Sequence, residues 1–171
     1  MNKQTLRKWA KEVRSQLDMD TLSKILAKKL KETTEYKNAK NIMIFYPLKD
    51  EVNLLELTKD TTKTFYLPKI KDDILLCCKY DKNTELCESC FHTKEPHSEP
   101  ENVAILDLVV VPALAVDKNN YRLGYGKGFY DRFLSQFNFP VKTIVCIPKA
   151  LIVETIFPNK YDIPVDLVIT E

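Results

Sequence analysis

Residues 122–132 read RLGYGKGFYDR, and this stretch contains all three glycines of the 171-residue chain, Gly124, Gly126 and Gly128. Glycine is used where the backbone needs a positive φ or must approach a ligand closely. The apolar run LVVVP at 108–112 predicts a buried strand upstream, and FYDRFLSQF at 129–137 has apolar residues at helical spacing. The glycines therefore lie in a loop that leads to a helix N-terminus, an end that binds anions.

The glycine loop, residues 124–128, has a spacing that matches neither common nucleotide motif. G-x-G-x-G differs from the dinucleotide G-x-G-x-x-G, and Gly128 follows Lys127 where a P-loop has Ser or Thr. A plain turn that needs glycine only for its geometry is one interpretation. However, Arg122, Lys127 and Arg132 surround the glycines, and basic groups around open backbone amides favour a phosphate ligand.

Hydrophobic periodicity outside the loop alternates between strands and helices. A first helix is predicted over 2–17 and a second helix, with Asp20 as its N-cap, over the apolar positions Leu22 to Leu30. A helix is also predicted through Leu54, Leu55 and Leu57. Strands are predicted at 41–46, 64–67, 74–80, 105–111, 143–147 and 166–170. This alternation predicts an α/β fold, with residues 1–171 forming a single compact three-layer domain whose largely parallel central sheet is flanked by helices.

Composition limits the class of protein. The net charge is +2 and the apolar content 44%, which fits a globular chain with a sizeable core and does not by itself favour nucleic acid. No apolar run approaches the roughly 20 residues of a membrane span. Five cysteines form an odd set, and the N-terminal sequence MNKQTLRK lacks the apolar core of a secretory signal. We therefore expect a soluble, cytoplasmic protein with reduced thiols.

One segment resembles a metal site. Cys87 and Cys90 form a C-x-x-C pair, followed closely by His92 and His97. Structural zinc sites generally use two ligand pairs held apart by folded chain, whereas these four residues lie within eleven positions. We therefore expect neither zinc binding nor a redox pair at this segment.

The loop and the sequence before it resemble a known family. RLGYGKGFYD, preceded by VVPALAVD at 110–117, is similar to the signature of 5-formyltetrahydrofolate cyclo-ligases, also called 5,10-methenyltetrahydrofolate synthetases. The resemblance extends to KQTLR at 3–7, DEV at 50–52, YLPK at 66–69 and YDIPVD at 161–166. It implies an ATP-dependent ligase of folate and one-carbon metabolism that phosphorylates the formyl oxygen of 5-formyltetrahydrofolate, closes the ring through N-10 and releases ADP and phosphate. Ala113 and Asn120 stand where the family commonly has glycine, although Asn120 is able to adopt the left-handed turn.

The resemblance also implies roles for individual residues. Lys127 and Arg122 would be catalytic, and Mg²⁺ would be held by Asp131 and Asp166. ATP would contact Lys3, Gln4, Thr5, Leu6, Arg7, Arg122, Leu123, Gly124, Tyr125, Gly126, Lys127, Gly128, Phe129 and Tyr130. The folate would contact Tyr46, Glu51, Tyr125, Gly126, Lys127, Gly128 and Phe129. The partners would be ATP and 5-formyltetrahydrofolate, with no nucleic acid or membrane, and the protein would be a monomer.

The residues taken alone leave ordinary explanations and other functions open. A basic face on the first helix is commonly just solvated, and Glu51, Asp131 and Asp166 each suit a structural position at a helix or strand start. One rival function is an α/β protein that binds a sugar phosphate or acyl-CoA without hydrolysing ATP. Another is a non-catalytic nucleotide- or RNA-binding module, although the basic helix lacks interleaved aromatic residues for base stacking.

Overall fold

The computed structural model describes residues 1–89 and 93–171. Its helices are α1 (Lys3–Ser15), α2 (Met19–Lys31), α3 (Thr34–Asn38) and α4 (Phe129–Ser135). Its strands are β1 (Asn41–Met43), β2 (Thr64–Lys71), β3 (Ile74–Tyr80), β4 (Leu86–Glu88), β5 (Lys94–Pro96), β6 (Pro100–Glu101), β7 (Leu108–Val110), β8 (Ala115–Asp117), β9 (Arg122–Leu123), β10 (Lys142–Cys146), β11 (Ile152–Val153) and β12 (Leu167–Ile169). Short 3₁₀ helices cover Leu55–Lys59, Val103–Ile105 and Lys149–Leu151.

The central sheet has the strand order β12-β10-β7-β1-β2-β3-β6. The pairs from β12 to β2 are parallel, and β3 and β6 extend the sheet in antiparallel orientation. The predicted α/β architecture with a largely parallel sheet is therefore confirmed. A small sheet of β11, β8 and β9 carries the chain from β7 towards the glycine loop.

Both faces of the central sheet are buried, as the near-continuous apolar strands require. Met43, Val109 and Val145 point to one face, where Leu6 and Ala10 of α1 and Phe133 of α4 pack. Alternate residues, such as Ile42, Leu108 and Ile144, point to the other face, where Leu26 and Leu30 of α2 pack. This arrangement gives the three predicted layers, and it places α1 and α4 on the same side of the sheet.

Several predicted boundaries differ from the structure. The second helix is capped by Asp18, whose side chain accepts from the Thr21 N–H at 3.2 Å, so Asp20 lies in the first turn instead. The predicted helix through Leu54 is a short 3₁₀ helix. β2 runs past Pro68, which costs no ladder hydrogen bond to β1 because that pairing ends near Tyr66.

A tight turn joins β8 to β9 and brings the chain back to the glycine loop. Asn120 adopts φ +65°, so the predicted left-handed Asn turn is confirmed. The buried Asp117 carboxylate accepts from the N–H groups of Asn119 and Tyr121 at 2.9 and 3.1 Å, and from Ile156 at 3.1 Å. A fully hydrogen-bonded buried carboxylate of this kind fixes the backbone around it. The turn therefore sets the position of Arg122 directly after it.

Candidate functional site

A cavity of about 680 Å³ lies beside the glycine loop. Phe45 and Tyr46, which follow β1, and Pro112, which follows β7, line it, so it occupies the carboxyl edge of the parallel strands. Ligands of open α/β sheets bind at this edge. The remaining lining residues are Lys3, Arg7, Leu48, Glu51, Pro68, Ile70, Leu75, Ser89, Thr93, Glu95, residues 122–132, Ser135, Asn159, Tyr161 and Asp162.

The first helix presents cations to this cavity. The Arg7 Nε donates to the Gly124 carbonyl oxygen at 2.8 Å, and the Lys3 Nζ forms an ion pair with the Asp162 carboxylate. Residues four apart on a helix share a face, and here that face turns towards the glycine loop. The exposed Lys8 lies on another face. The basic character of α1 is thus divided between the cavity and solvent.

Arg122 is a buried cation beside the loop, with 5% of its surface exposed. Its Nε donates to the Pro112 carbonyl oxygen at 2.9 Å, and its Nη1 lies 3.6 Å from Asp131 Oδ1. Burial lowers the pKa of Arg122 from its ordinary value, and the Asp131 carboxylate opposes that shift. A guanidinium still holds its proton near neutral pH. Arg122 therefore supplies a fixed, weakly hydrated positive charge at the cavity wall.

The glycine loop needs glycine for two different reasons. Gly126 and Gly128 have φ values of +107° and +72°, a region that side chains rarely adopt. Gly124 has no such conformation, but a Cβ there would lie 2.7 Å from Arg122 Nη2. Gly128 is also the residue that precedes α4, and no side chain caps that helix end. The loop thus leads directly into the helix start, as predicted.

A chain of hydrogen bonds holds the Glu51 carboxylate at another part of the cavity wall. Leu48 N–H donates to Oε1 at 2.8 Å, and the Tyr125 hydroxyl donates to Oε2 at 3.2 Å. Arg14 Nη1 donates in turn to the Tyr125 hydroxyl oxygen at 2.8 Å. Burial raises the pKa of Glu51, and the Leu48 N–H, Arg14, Tyr125 and Arg122 partly oppose the rise. The carboxylate is both buried and oriented.

The structure brings most of the predicted ligand contacts together at this cavity. Every residue expected to touch the folate lines it: Tyr46, Glu51, Tyr125, Gly126, Lys127, Gly128 and Phe129. Of the residues expected to touch ATP, Lys3, Arg7 and residues 122–130 line it. Gln4 and Thr5 are exposed outside the lining, and the Leu6 side chain is buried in the core. These three residues therefore do not line the cavity.

The two carboxylates expected to hold Mg²⁺ are placed differently. Asp131 lines the cavity, and its Oδ1 accepts from the Ile163 N–H at 3.3 Å. Asp166 lies outside the lining, at the amino end of β12, where its Oδ2 accepts from the Thr143 N–H at 2.9 Å. Asp107, which directly precedes β7, likewise accepts from the N–H groups of Lys40 and Asn41 at the start of β1. Asp166 therefore has a structural role of joining strands at the sheet edge opposite the cavity.

A single carboxylate is compatible with Mg²⁺, because this ion commonly takes one or two carboxylates and completes its octahedron with waters and substrate phosphates. Within residues 1–89 and 93–171, no group of three or more His, Cys, Asp or Glu side chains is arranged to hold a metal ion. Asp131 lines the cavity and is able to supply such a carboxylate, whereas Asp166 lies outside the cavity lining. These residues therefore fit a Mg²⁺ site in which Asp131 supplies one ligand and phosphate oxygens of a substrate supply others.

The C-x-x-C segment falls partly outside the described residues, which do not include Cys90 and His92. Cys87 is an exposed free thiol. Cys77, Cys78 and Cys146 are buried free thiols, and burial raises the pKa of Cys77 to about 11 and that of Cys146 to about 12. Such thiols are inert because little thiolate forms near neutral pH. No helix in the described ranges is both long and apolar enough to cross a membrane.

Two residues at the site were missed in the sequence. The sequence alone does not single out Arg14 among the cations of α1, but only 5% of its surface is exposed and its Nε donates to the Asp50 carbonyl oxygen at 2.8 Å. Its position seven residues after Arg7, two helical turns on the same side, was the available signal. Asp162, the partner of Lys3, had no local signal because the contact joins positions 159 residues apart.

Comparisons with known proteins agree on one family. The model of the 5-formyltetrahydrofolate cyclo-ligase family matches residues 1–171. The chain is 26% identical to the probable 5-formyltetrahydrofolate cyclo-ligase of Schizosaccharomyces pombe over 168 residues, covering 86% of this chain and 79% of that protein. It is 30% identical to the enzyme of that name from Mycoplasma genitalium over 126 residues, covering 71% of this chain and 65% of that protein.

A solved structure gives the same result for the fold. The structure of 5,10-methenyltetrahydrofolate synthetase from Aquifex aeolicus superposes with a TM-score of 0.87 at 30% identity. The match covers 99% of this chain and 90% of that one. The arrangement of sheet and helices described above is thus shared with that protein along nearly the whole length of both chains.

Proposed function

The chain belongs to the 5-formyltetrahydrofolate cyclo-ligase family, and from this membership we propose that it converts 5-formyltetrahydrofolate to 5,10-methenyltetrahydrofolate with consumption of ATP. The observation that carries the proposal is the pairing, in one cavity, of a phosphate-suited loop with a buried carboxylate. Arg7, Arg122 and Lys127 line the cavity around the glycine loop, whereas the Glu51 carboxylate lies at another part of the wall and accepts from the Leu48 N–H and the Tyr125 hydroxyl. Two chemically different substrates would need two such regions.

The proposed reaction has two steps. The formyl oxygen attacks the γ-phosphorus of ATP, an O–P bond forms and the bond to the β-phosphate oxygen breaks, which releases ADP. N-10 of the folate then attacks the activated formyl carbon, loses its proton to solvent and closes the ring, and the carbon–oxygen bond breaks as phosphate leaves. Such a phosphoryl transfer needs positioning and charge neutralisation more than covalent participation by the protein.

The residues around the glycine loop would perform that neutralisation. Arg122 is fixed by Pro112 and burial, and Arg7 is fixed by its bond to the Gly124 oxygen. Charges that are already oriented stabilise developing negative charge without reorganising during the reaction. Lys127 would act as a point charge beside the transferred phosphoryl group. Asp131 would hold Mg²⁺ together with the phosphate oxygens, and the ion would supply further charge neutralisation there.

The folate would occupy the more apolar part of the cavity. Phe45, Pro68, Ile70, Leu75 and Phe129 supply apolar lining to the cavity, and apolar walls with few oriented polar groups are typical of small-molecule sites. Tyr46 and Glu51 would provide the polar contacts, since a carboxylate accepts hydrogen bonds from the N–H groups of a pterin ring. We also expect the enzyme to act as a cytoplasmic monomer, which size-exclusion chromatography and cell fractionation would test.

The test is direct assay of the ring closure. Purified protein is mixed with ATP, Mg²⁺ and 5-formyltetrahydrofolate, and the methenyl product is followed by its near-ultraviolet absorbance. We expect product only when ATP is present, with one ADP released per product. Lys127→Ala should lower kcat/KM by at least about a hundredfold if the charge acts on the transferred phosphoryl group. Absence of product from the wild-type protein under all these conditions would refute the proposed function.

A further inference from the structure

A continuous chain of hydrogen bonds links α1, the glycine loop and the Glu51 segment, which consists of Asp50 and Glu51. Arg14 Nη1 donates to the Tyr125 hydroxyl, and that hydroxyl donates to Glu51 Oε2. The second donor of Arg14, its Nε, bonds the carbonyl oxygen of Asp50, the residue next to Glu51. Arg14 therefore holds the Glu51 segment through its backbone and the Glu51 carboxylate through Tyr125.

Burial distinguishes the members of this chain of hydrogen bonds. The relative exposures of Arg14 and Glu51 are 5% and 8%, so neither group is solvated. Tyr125 is 41% exposed and lines the cavity. Burying a guanidinium costs free energy of folding unless the group is hydrogen-bonded or paired. Arg14 meets this condition through its two hydrogen bonds. Here it stabilises the orientation of a carboxylate that faces the same cavity.

We propose that Arg14 and Tyr125 are positioning residues which, together with the Leu48 N–H, fix the Glu51 carboxylate as the hydrogen-bond acceptor for ring N–H groups of the folate. This inference rests on the proposed function and identifies what orients its folate site. Tyr125 lies between Gly124 and Gly126, so the side chain that orients Glu51 is carried by the loop assigned to phosphate. Recognition of the folate ring therefore depends on the conformation of the glycine loop.

The charged and titratable groups around Glu51 support this assignment. Arg14 from α1 and Arg122 from β9 favour its ionised form, and the Tyr125 hydroxyl favours it by donating a hydrogen bond. Burial and, to a smaller extent, the Glu51 charge also raise the pKa of Tyr130 on α4. Burial and the Glu51 charge raise the pKa of Tyr125 to about 12, so its hydroxyl remains a donor at neutral pH. Removing either positioning residue thus takes away support for the charged carboxylate.

The decisive variant is Tyr125→Phe, which removes one hydroxyl from a half-exposed side chain and leaves the ring in place. At saturating Mg²⁺ and ATP, we expect the KM for 5-formyltetrahydrofolate to rise about tenfold, as for loss of a hydrogen bond to a charged group. The kcat and the KM for ATP should change less than about twofold. The acidic limb of the kcat/KM profile should move to higher pH, because the Glu51 pKa rises when the donor is lost.

Arg14→Gln and a control complete the experiment. Arg14→Gln should shift the folate KM and the acidic limb in the same directions, and melting temperatures establish that each variant is folded. Tyr80→Phe removes a hydroxyl from a β3 tyrosine outside the cavity lining and should leave both quantities unchanged. An active wild-type enzyme whose Tyr125→Phe variant keeps the folate KM and the acidic limb would overturn the inference. An inactive wild-type enzyme would instead refute the proposed function.

Discussion

The Arg7 guanidinium joins the first helix to the glycine loop, with its Nε donating to the Gly124 carbonyl oxygen at 2.8 Å across 117 residues of sequence. The same guanidinium carbon lies 3.5 Å from the position that a Cβ on Gly126 would occupy. Arg7 therefore bonds the loop at Gly124 and lies beside Gly126 while lining the cavity. It can support the loop and present a positive charge to a phosphate at once.

Replacement of Arg7 should affect ATP more than folate. For Arg7→Ala we expect the KM for ATP to rise about tenfold or more, because a charge-assisted contact to phosphate is lost. The KM for 5-formyltetrahydrofolate should change less than about threefold. Lys8→Ala, on the exposed face of the same helix, is the matched control and should have wild-type kinetics. Equal small effects of both changes would mean that the basic face of α1 is only solvated.

The left-handed conformation of Gly128 should be tested separately from the space around it. A Cβ at this position would lie 3.0 Å from Arg132 Nη1, the end of a flexible side chain, whichever residue carries it. Asn tolerates the φ of +72° better than Ala does. We expect Gly128→Ala to lower the free energy of unfolding by about 1–2 kcal/mol and Gly128→Asn to lower it by less. Chemical denaturation measures both, and an equal loss would assign the cost to crowding against Arg132.

Replacing the two aspartates expected to bind Mg²⁺ should have different effects, one on the metal dependence of the rate and the other on stability. Asp131→Asn should raise the Mg²⁺ concentration for half-maximal rate about tenfold, with folate binding in the absence of ATP retained. Asp166→Asn should instead lower the melting temperature, because the Thr143 N–H loses a charged acceptor, and its Mg²⁺ dependence should match the wild type. The reverse pattern, with Asp166→Asn alone changing the metal dependence, would show that the strand-end contact is replaced by a metal contact.

The buried Glu51 should make stability depend on pH. Burial raises its pKa above the ordinary value of 4.5, so between these two values the folded state holds a proton that the unfolded state has lost. The contribution of Glu51 to stability therefore falls as pH rises through that window. Glu51→Gln cannot titrate, so its melting temperature relative to the wild type should increase from about pH 4 to about pH 8. A difference that stays constant or declines over this range would contradict the raised pKa.

The sequence determined the elements whose signals are local. The apolar strands around 108–112 and 143–147 and the helix after the glycine loop follow from periodicity, and the α/β class follows from their alternation. The grouping of glycines with Lys127 predicted a loop that ends at a helix start, which the structure has. Short elements were predicted less accurately. The helix predicted through Leu54 is a short 3₁₀ helix, because a few apolar residues fit several conformations equally well.

Only the tertiary structure decided which side chains meet. Arg14 and Lys8 are similar residues on one helix, yet packing buries the first against Tyr125 and leaves the second in solvent. Asp131 and Asp166 both looked suited to a metal, but the parallel sheet places Asp166 at its amino edge, bonded to Thr143. Local sequence specifies periodicity and turns, whereas burial and hydrogen-bond partners depend on segments far apart in the chain. The choice among equivalent cations and carboxylates is therefore made when helices pack on the sheet.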